Sequence, residues 1–178
     1  MRGHGNRLRF GSITYAMAFV LTGESRFGLA LRAHPPKCHH MRSLDDIREE
    51  YAFLDGDERY RLLIELGREL DPMPDALKTE ATKVRGCSAS VWVYPTARED
   101  GTLHFLADSN AAITKGIVAL VIAAVQDKPA AAVAQTDIAA ALEPFDLKNQ
   151  LSSNRTQGVP NMIALIRETA ARYAAEAP

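Results

Sequence analysis

The stretch Val84-Arg85-Gly86-Cys87-Ser88-Ala89-Ser90-Val91-Trp92-Val93-Tyr94 decides the reading of this chain. Its second half, Val91-Trp92-Val93-Tyr94, has the β-branched and aromatic content of a strand. Its first half is a loop softened by Gly86, which leaves the approach to Cys87 uncrowded. A cysteine at such a loop-to-strand junction is accessible enough for thiol chemistry. A lone cysteine also serves widely as a small buried hydrophobe. Residue type alone leaves both readings open.

Working outward, three more blocks fall into order around this loop. Leu63-Ile64-Glu65-Leu66-Gly67-Arg68-Glu69-Leu70 precedes it. Leu106-Ala107-Asp108-Ser109-Asn110-Ala111-Ala112-Ile113-Thr114-Lys115-Gly116 follows it, and then Leu151-Ser152-Ser153-Asn154-Arg155-Thr156-Gln157-Gly158. Together with Val-Arg-Gly-Cys and the later Ser-Val-Trp, these blocks resemble the SufE family, the sulfur acceptors that serve cysteine desulfurases. The resemblance covers roughly residues 44–173. The chain departs from the family at Ser88 and Ala89, where Gln and Ser are usual, at Thr82 in place of Asn, and at Ser153 in place of Pro.

The resemblance implies a function. Cys87 would take persulfide sulfur from a SufS-like cysteine desulfurase, stimulate that enzyme, and pass the sulfur to a SufBCD-like Fe–S scaffold. Arg85, Gly86 and Arg155 would be supporting residues, and no cofactor or metal of its own is implied. A homodimer is compatible with it. The implied fold is α+β, a small antiparallel sheet packed against several helices, similar to the IscU-type scaffold fold.

At 178 residues the chain suits one domain with a real core. The formal charge of −1 suggests neither nucleic acid nor membrane as a partner. The two cysteines, Cys38 and Cys87, make no disulfide framework and fit a reducing compartment such as the cytoplasm.

Charge divides the chain unevenly, with a net of +5 over residues 1–40 and −6 over the rest. Residues 1–40 are expected to be an extension outside the domain, which then spans 41–178. The extension is Arg-rich and acid-poor, like an organellar transit peptide, and residues 13–21 could pass for the apolar core of a signal peptide. A third reading places it upstream of a natural start at Met41. His34, Cys38, His39 and His40 hint at metal, but they lack a second ligand pair at zinc spacing.

From Ser43 the periodicity sharpens. Ser43 caps a helix carrying Ile47, Tyr51 and Leu54 on one face, and Asp55-Gly56-Asp57 breaks it. A second helix with Tyr60, Leu63, Ile64, Leu66 and Leu70 apolar runs to Asp71-Pro72-Met73-Pro74. Asp100-Gly101 predicts a type I′ hairpin between strands 90–98 and 102–108, with Pro95 at an edge or bulge. A short extra strand is expected near Lys83-Val84. Ser109 is expected to cap a buried helix over 110–125, Thr136 or Asp137 to start a shorter one ending at Leu142, and Arg155 to begin the last helix.

Three other functions compete. A cysteine hydrolase or peroxidase needs a base beside Cys87, and His104 is the only histidine after residue 40. Opposite about Ala97 in the hairpin, it stands roughly 23 Å from Ser90, out of reach. A scaffold assembling Fe–S clusters needs several thiolates where the domain offers one. A structural adaptor with Cys87 inert needs nothing further, and composition alone leaves all three open. For the carrier itself, Arg85 and Lys83 are candidates to raise the thiolate fraction of Cys87, about 3% for a free thiol at neutral pH. Arg155 stands in the first turn of a helix, where the dipole disfavours a cation. It is therefore a candidate to tie the last helix to the cysteine loop or to meet the desulfurase. Asp108 and Asn110 are read as ending the strand and starting the helix.

Overall fold

The computed structural model describes residues 41–176, less the side chains of Gln150, Asn154 and Arg155. The His34–His40 cluster and the rest of residues 1–40 lie outside the described residues. Helix α1 spans Leu44–Phe53 and begins as expected, the Ser43 hydroxyl accepting from Asp46 N at 3.2 Å. Helix α2, Gly56–Glu69, opens with a capping box in which Asp55 and Glu58 satisfy each other's backbone N–H groups. Its inward face is Leu62, Leu63, Leu66 and Gly67, while Tyr60 points largely to solvent. Thr82 donates to Leu77 O, which ties up the polar stretch after α2.

Strands β1 (Val91–Ala97) and β2 (Thr102–Ser109) form the hairpin, and a two-residue β3 (Lys128–Pro129) adds to the far side of β2. The sheet is antiparallel in the order β1-β2-β3, so Pro95 does sit on an edge strand. Inward residues alternate with outward ones along β2, placing Leu103, Phe105 and Ala107 in the core. The hairpin turn corrects the type I′ expectation. Gly101 N bonds Arg98 O at 3.0 Å, and among the turn residues only Gly101 has positive φ, +78°. This is a three-residue loop, a type I turn closed by a left-handed glycine, because a type I′ turn would need Asp100 left-handed as well. His104 consequently faces Thr96 rather than Ala97.

Helix α3, Ala112–Ala123, is the buried centre, with Ile113, Ile117, Val118, Leu120, Val121 and Ile122 enclosed by α2 on one side and β2 on the other. It crosses α2 closely. A Cβ on Gly116 would overlap Leu63 O, and one on Gly67 would stand 2.9 Å from Gly116 N. Ser109 does not cap it directly. The helix starts later, at an Ala111 cap, and Ser109 Oγ accepts only from Ala111 N.

Two short helices, α4 (Ala130–Gln135) and α5 (Ile138–Leu142), follow β3, the second capped by Asp137 as expected. Tyr51 donates to Phe145 O at 2.8 Å and fastens α1 beneath the turn that follows α5. After α6 (Leu147–Gln150), the helix expected from Arg155 onward is two, α7 (Ser153–Thr156) and α8 (Val159–Glu176). Pro160 explains the break. It has no N–H to bond back to Thr156, and it restricts Val159, so a new helix starts there. Helix α8 buries Met162, Ile166, Thr169 and Ala170 and packs along α4.

Candidate functional site

The expected extra strand is a single bridge between Lys83 and Trp92, flanked by bonds from Val84 N to Val91 O and from Val93 N to Thr82 O. It closes residues 85–90 into a loop at the start of β1. Three of the expected site residues, Arg85, Gly86 and Cys87, share this loop. Val84 below it is buried in the core, so the loop stands on a fixed base.

Both flanks of the loop are tied down. On the strand side, Asn110 Oδ1 accepts from Ser90 N at 3.0 Å, Asn110 N donates back to Ser90 O at 3.2 Å, and Ser109 Oγ donates to Ser90 O at 2.9 Å. Asn110 therefore does not start the helix, which begins at Ala112: it closes a reciprocal pair of bonds with Ser90. On the other side, Asn161 in the first turn of α8 donates from Nδ2 to Arg85 O at 2.9 Å. Gly86 is left-handed, with φ +78°. A Cβ on it would stand 2.5 Å from Asn161 Nδ2, so its lack of a side chain makes room for Asn161 more than for an incoming partner.

Cys87 is half-buried, and its sulfur rests on Gly158, where a Cβ would overlap Sγ. Burial pushes the Cys87 thiol up. The two cations expected to oppose this do not: Lys83 pairs with Glu80 at 3.2 Å, and Arg85 is exposed without offsetting the burial. The site thus holds a half-buried thiol whose burial disfavours the thiolate. Arg155 lies in α7, three residues before Gly158, and its side chain is outside the described residues.

His104 is no partner for Cys87. It sits five residues along the hairpin from the Val91–Ser109 pair, about 17 Å. There it contacts Asp127 at 2.8 Å and Asp71 at 3.3 Å. Asp108 is also more than a strand end, since Lys78 and Lys115 each reach it at 2.8 Å. Burial raises the Asp108 carboxyl, but hydrogen bonds from Lys115 and Lys78 outweigh it and hold the group below its ordinary value. Those bonds to Asp108 and then Asp75 push Lys78 up to about 12. The cluster pins the segment before the cysteine loop to β2 and α3. Among the described residues no group of His, Cys, Asp and Glu could hold a metal ion, and no helix is long and apolar enough to cross a membrane.

The contacts that Gly158 and Asn161 make with the cysteine loop, and that Asn110 makes with Ser90, are not among the sequence expectations. Pro160, two residues after Gly158, is compatible with the first turn of the single helix expected from Arg155, and nothing in the spacing links this region to Cys87.

Residues 45–170 match the family described as "SufE: Fe-S metabolism associated domain". An uncharacterized SufE-like protein of Rhizobium meliloti is 39% identical over 73% of this chain and 96% of its own length. The sulfur acceptor protein CsdE of Escherichia coli is 38% identical over 65% of this chain and 79% of its own length. A hypothetical protein of Thermus thermophilus, known from its solution structure, superposes with a TM-score of 0.62. That likeness covers 74% of this chain and 96% of the other at 16% identity, and it speaks to the fold alone. Sequence match and α+β architecture agree: the chain belongs to the SufE family.

Proposed function

We propose that this protein is a sulfur acceptor that takes persulfide sulfur from a cysteine desulfurase onto Cys87 and delivers it to an Fe–S assembly scaffold. The observation that carries this is the setting of Cys87, a thiol on a loop fastened at both flanks, with no acid or base of the described residues beside it. A hydrolase or peroxidase would require such a group. A carrier requires one thiol and a way to present it. The relative named a sulfur acceptor in Escherichia coli supports the same reading.

The transfer is an exchange at sulfur. The Cys87 thiolate attacks the outer sulfur of the partner's cysteine persulfide, a new S–S bond forms at Cys87, and the old one breaks. The partner's cysteine leaves as thiolate and takes up the proton that Cys87 lost. No oxidant or reductant is consumed. Half-burial on Gly158 partly shields the thiol from stray oxidants between encounters. Arg155 and Arg85 are the cations nearest in sequence to this dock, and in this reading they support the encounter with the desulfurase. The reducing cytoplasm suits a free thiol.

Intact mass after incubation with a cysteine desulfurase and free cysteine tests the proposal. The wild-type chain gains one sulfur, removed by a thiol reductant, and Cys87→Ser gains none. Sulfur on Cys38 instead would overturn the assignment.

A further inference from the structure

We infer that Asn161 is a positioning residue for Cys87: from the first turn of α8 it fastens the cysteine loop and so sets how exposed the thiol is. The inference rests on the sulfur-acceptor reading for its meaning, but its geometry is independent of it. Asn161 is exposed on α8 and contributes nothing to the core, yet its amide reaches across the chain to Arg85 O at 2.9 Å. The residue it grips is two before Cys87, and the residue between them, Gly86, is the one whose side chain would collide with it. One turn earlier, Gly158 provides the seat for Cys87 Sγ. The start of α8 therefore holds the loop at two points, one polar and one steric.

The strand-side bonds to Ser90 have no such effect on the sulfur. They hold the root of β1, which the Lys83–Trp92 bridge already fixes. Among the described residues, Asn161 is a polar link from α8 to the half of the loop carrying Arg85 and Gly86. Among the described residues, the charged groups nearest Cys87 in the loop are the exposed Arg85 and the Lys83–Glu80 pair, and neither offsets the burial of the thiol. Loosening this link exposes Cys87 to solvent and to any sulfur donor, while α8 keeps its buried face of Met162, Ile166 and Ala170.

The test measures peptide-resolved alkylation of Cys87 by iodoacetamide against pH in Asn161→Ala and Asn161→Leu, with no desulfurase present. Neither replacement can donate to Arg85 O. The rate at neutral pH should rise about fivefold, the change in docked-to-free ratio expected from one neutral hydrogen bond. The pH midpoint of alkylation should fall toward that of an ordinary thiol. Asn161→Gln, which keeps a donor on a longer arm, should fall between wild type and these two. Rate and midpoint unchanged in both variants would overturn the inference, whether or not the melting temperature moved, since a merely structural residue alters only the latter. Failure of wild-type Cys87 to take sulfur from a desulfurase would instead sink the sulfur-acceptor reading and leave this dock standing.

Discussion

Gly158→Ala is the substitution that most directly perturbs the seat of Cys87. The added Cβ would overlap Cys87 Sγ and stand 3.0 Å from its Cβ and 3.2 Å from its Cα, so either α8 or the loop must move. Moving α8 would uncover Met162, Ile166, Thr169 and Ala170, at a cost of several kcal/mol by the usual penalty for disturbing buried aliphatic side chains. Moving the loop costs much less. It gives up the Asn161 bond, about 1 kcal/mol, and the half-burial of one small side chain, roughly 1 kcal/mol. The loop should yield, at a total near 2 kcal/mol and within the range seen for overpacking. For a domain of this size that lowers the melting temperature by roughly 4–8 °C.

The expelled loop carries Cys87 out of its burial, so the thiol should drop back toward its ordinary value and react faster with iodoacetamide at neutral pH. The pH dependence of stability changes as well. An acid whose folded pKa is raised contributes stability below its unfolded pKa and loses it as pH rises through the folded value. Wild type should therefore weaken on the alkaline side, and Gly158→Ala should lose that dependence. Thermal melts and peptide-resolved alkylation read both effects. Unchanged alkylation, or a melting loss more than about twice the expected one, would refute the argument that the loop is the softer side of this contact.

Gly116→Ala makes the opposite case, because the added Cβ meets backbone: it would overlap Leu63 O and stand 2.5 Å from Leu63 C. Neither α2 nor α3 can give, and thermal melts should show a loss of about 3 kcal/mol or more with normal reactivity at Cys87 in whatever remains folded. Asp108→Asn removes the shared partner of Lys78 and Lys115 and should cost about 2 kcal/mol at neutral pH, measured by urea unfolding. The folded Asp108 carboxyl is depressed, so its contribution is present above the unfolded value of about 4 and is lost as pH falls through the folded one. Wild type and variant should converge in acid, and a constant gap down to pH 2 would contradict the two-lysine account.

Elements that pack by periodicity were legible in the sequence. The apolar spacing of α1 and the nearly all-round apolarity of α3 each identified a helix, and the turn signal of Asp100-Gly101 placed a strand on either side of it. What spacing cannot carry is the end of an element whose terminal residues have work elsewhere. Ser109 and Asn110 look like the cap of α3, but their polar atoms serve Ser90, and the helix begins after them. The two-residue β3 shows no pattern, since two residues have no period. It exists because β2 has a free edge at Thr102 and Leu103. The hairpin turn differs by the conformation of one residue, Asp100, which the dipeptide Asp-Gly does not determine.

The site divides along the same line. Arg85, Gly86 and Cys87 were legible because they are adjacent, and their local sequence and the family resemblance both point at them. Gly158 and Asn161 act across more than seventy residues of chain, and their identities carry no hint of it: a glycine two residues before Pro160 reads as part of a helix boundary, and an asparagine in a first turn reads as a solvated polar residue. The expectation that Arg85 and Lys83 would activate the thiol went wrong for a related reason. Nearness in sequence was taken for nearness of charge to sulfur, whereas Lys83 turns to Glu80 and the sulfur turns inward to Gly158. The thiol is thereby governed by shielding rather than by a neighbouring cation. Such a thiol reacts more slowly than an exposed one, and the α8 side grips its loop through the Asn161 bond and through Gly158, the residue just before α8. Control of Cys87 therefore lies in a helix whose sequence shows only its apolar face.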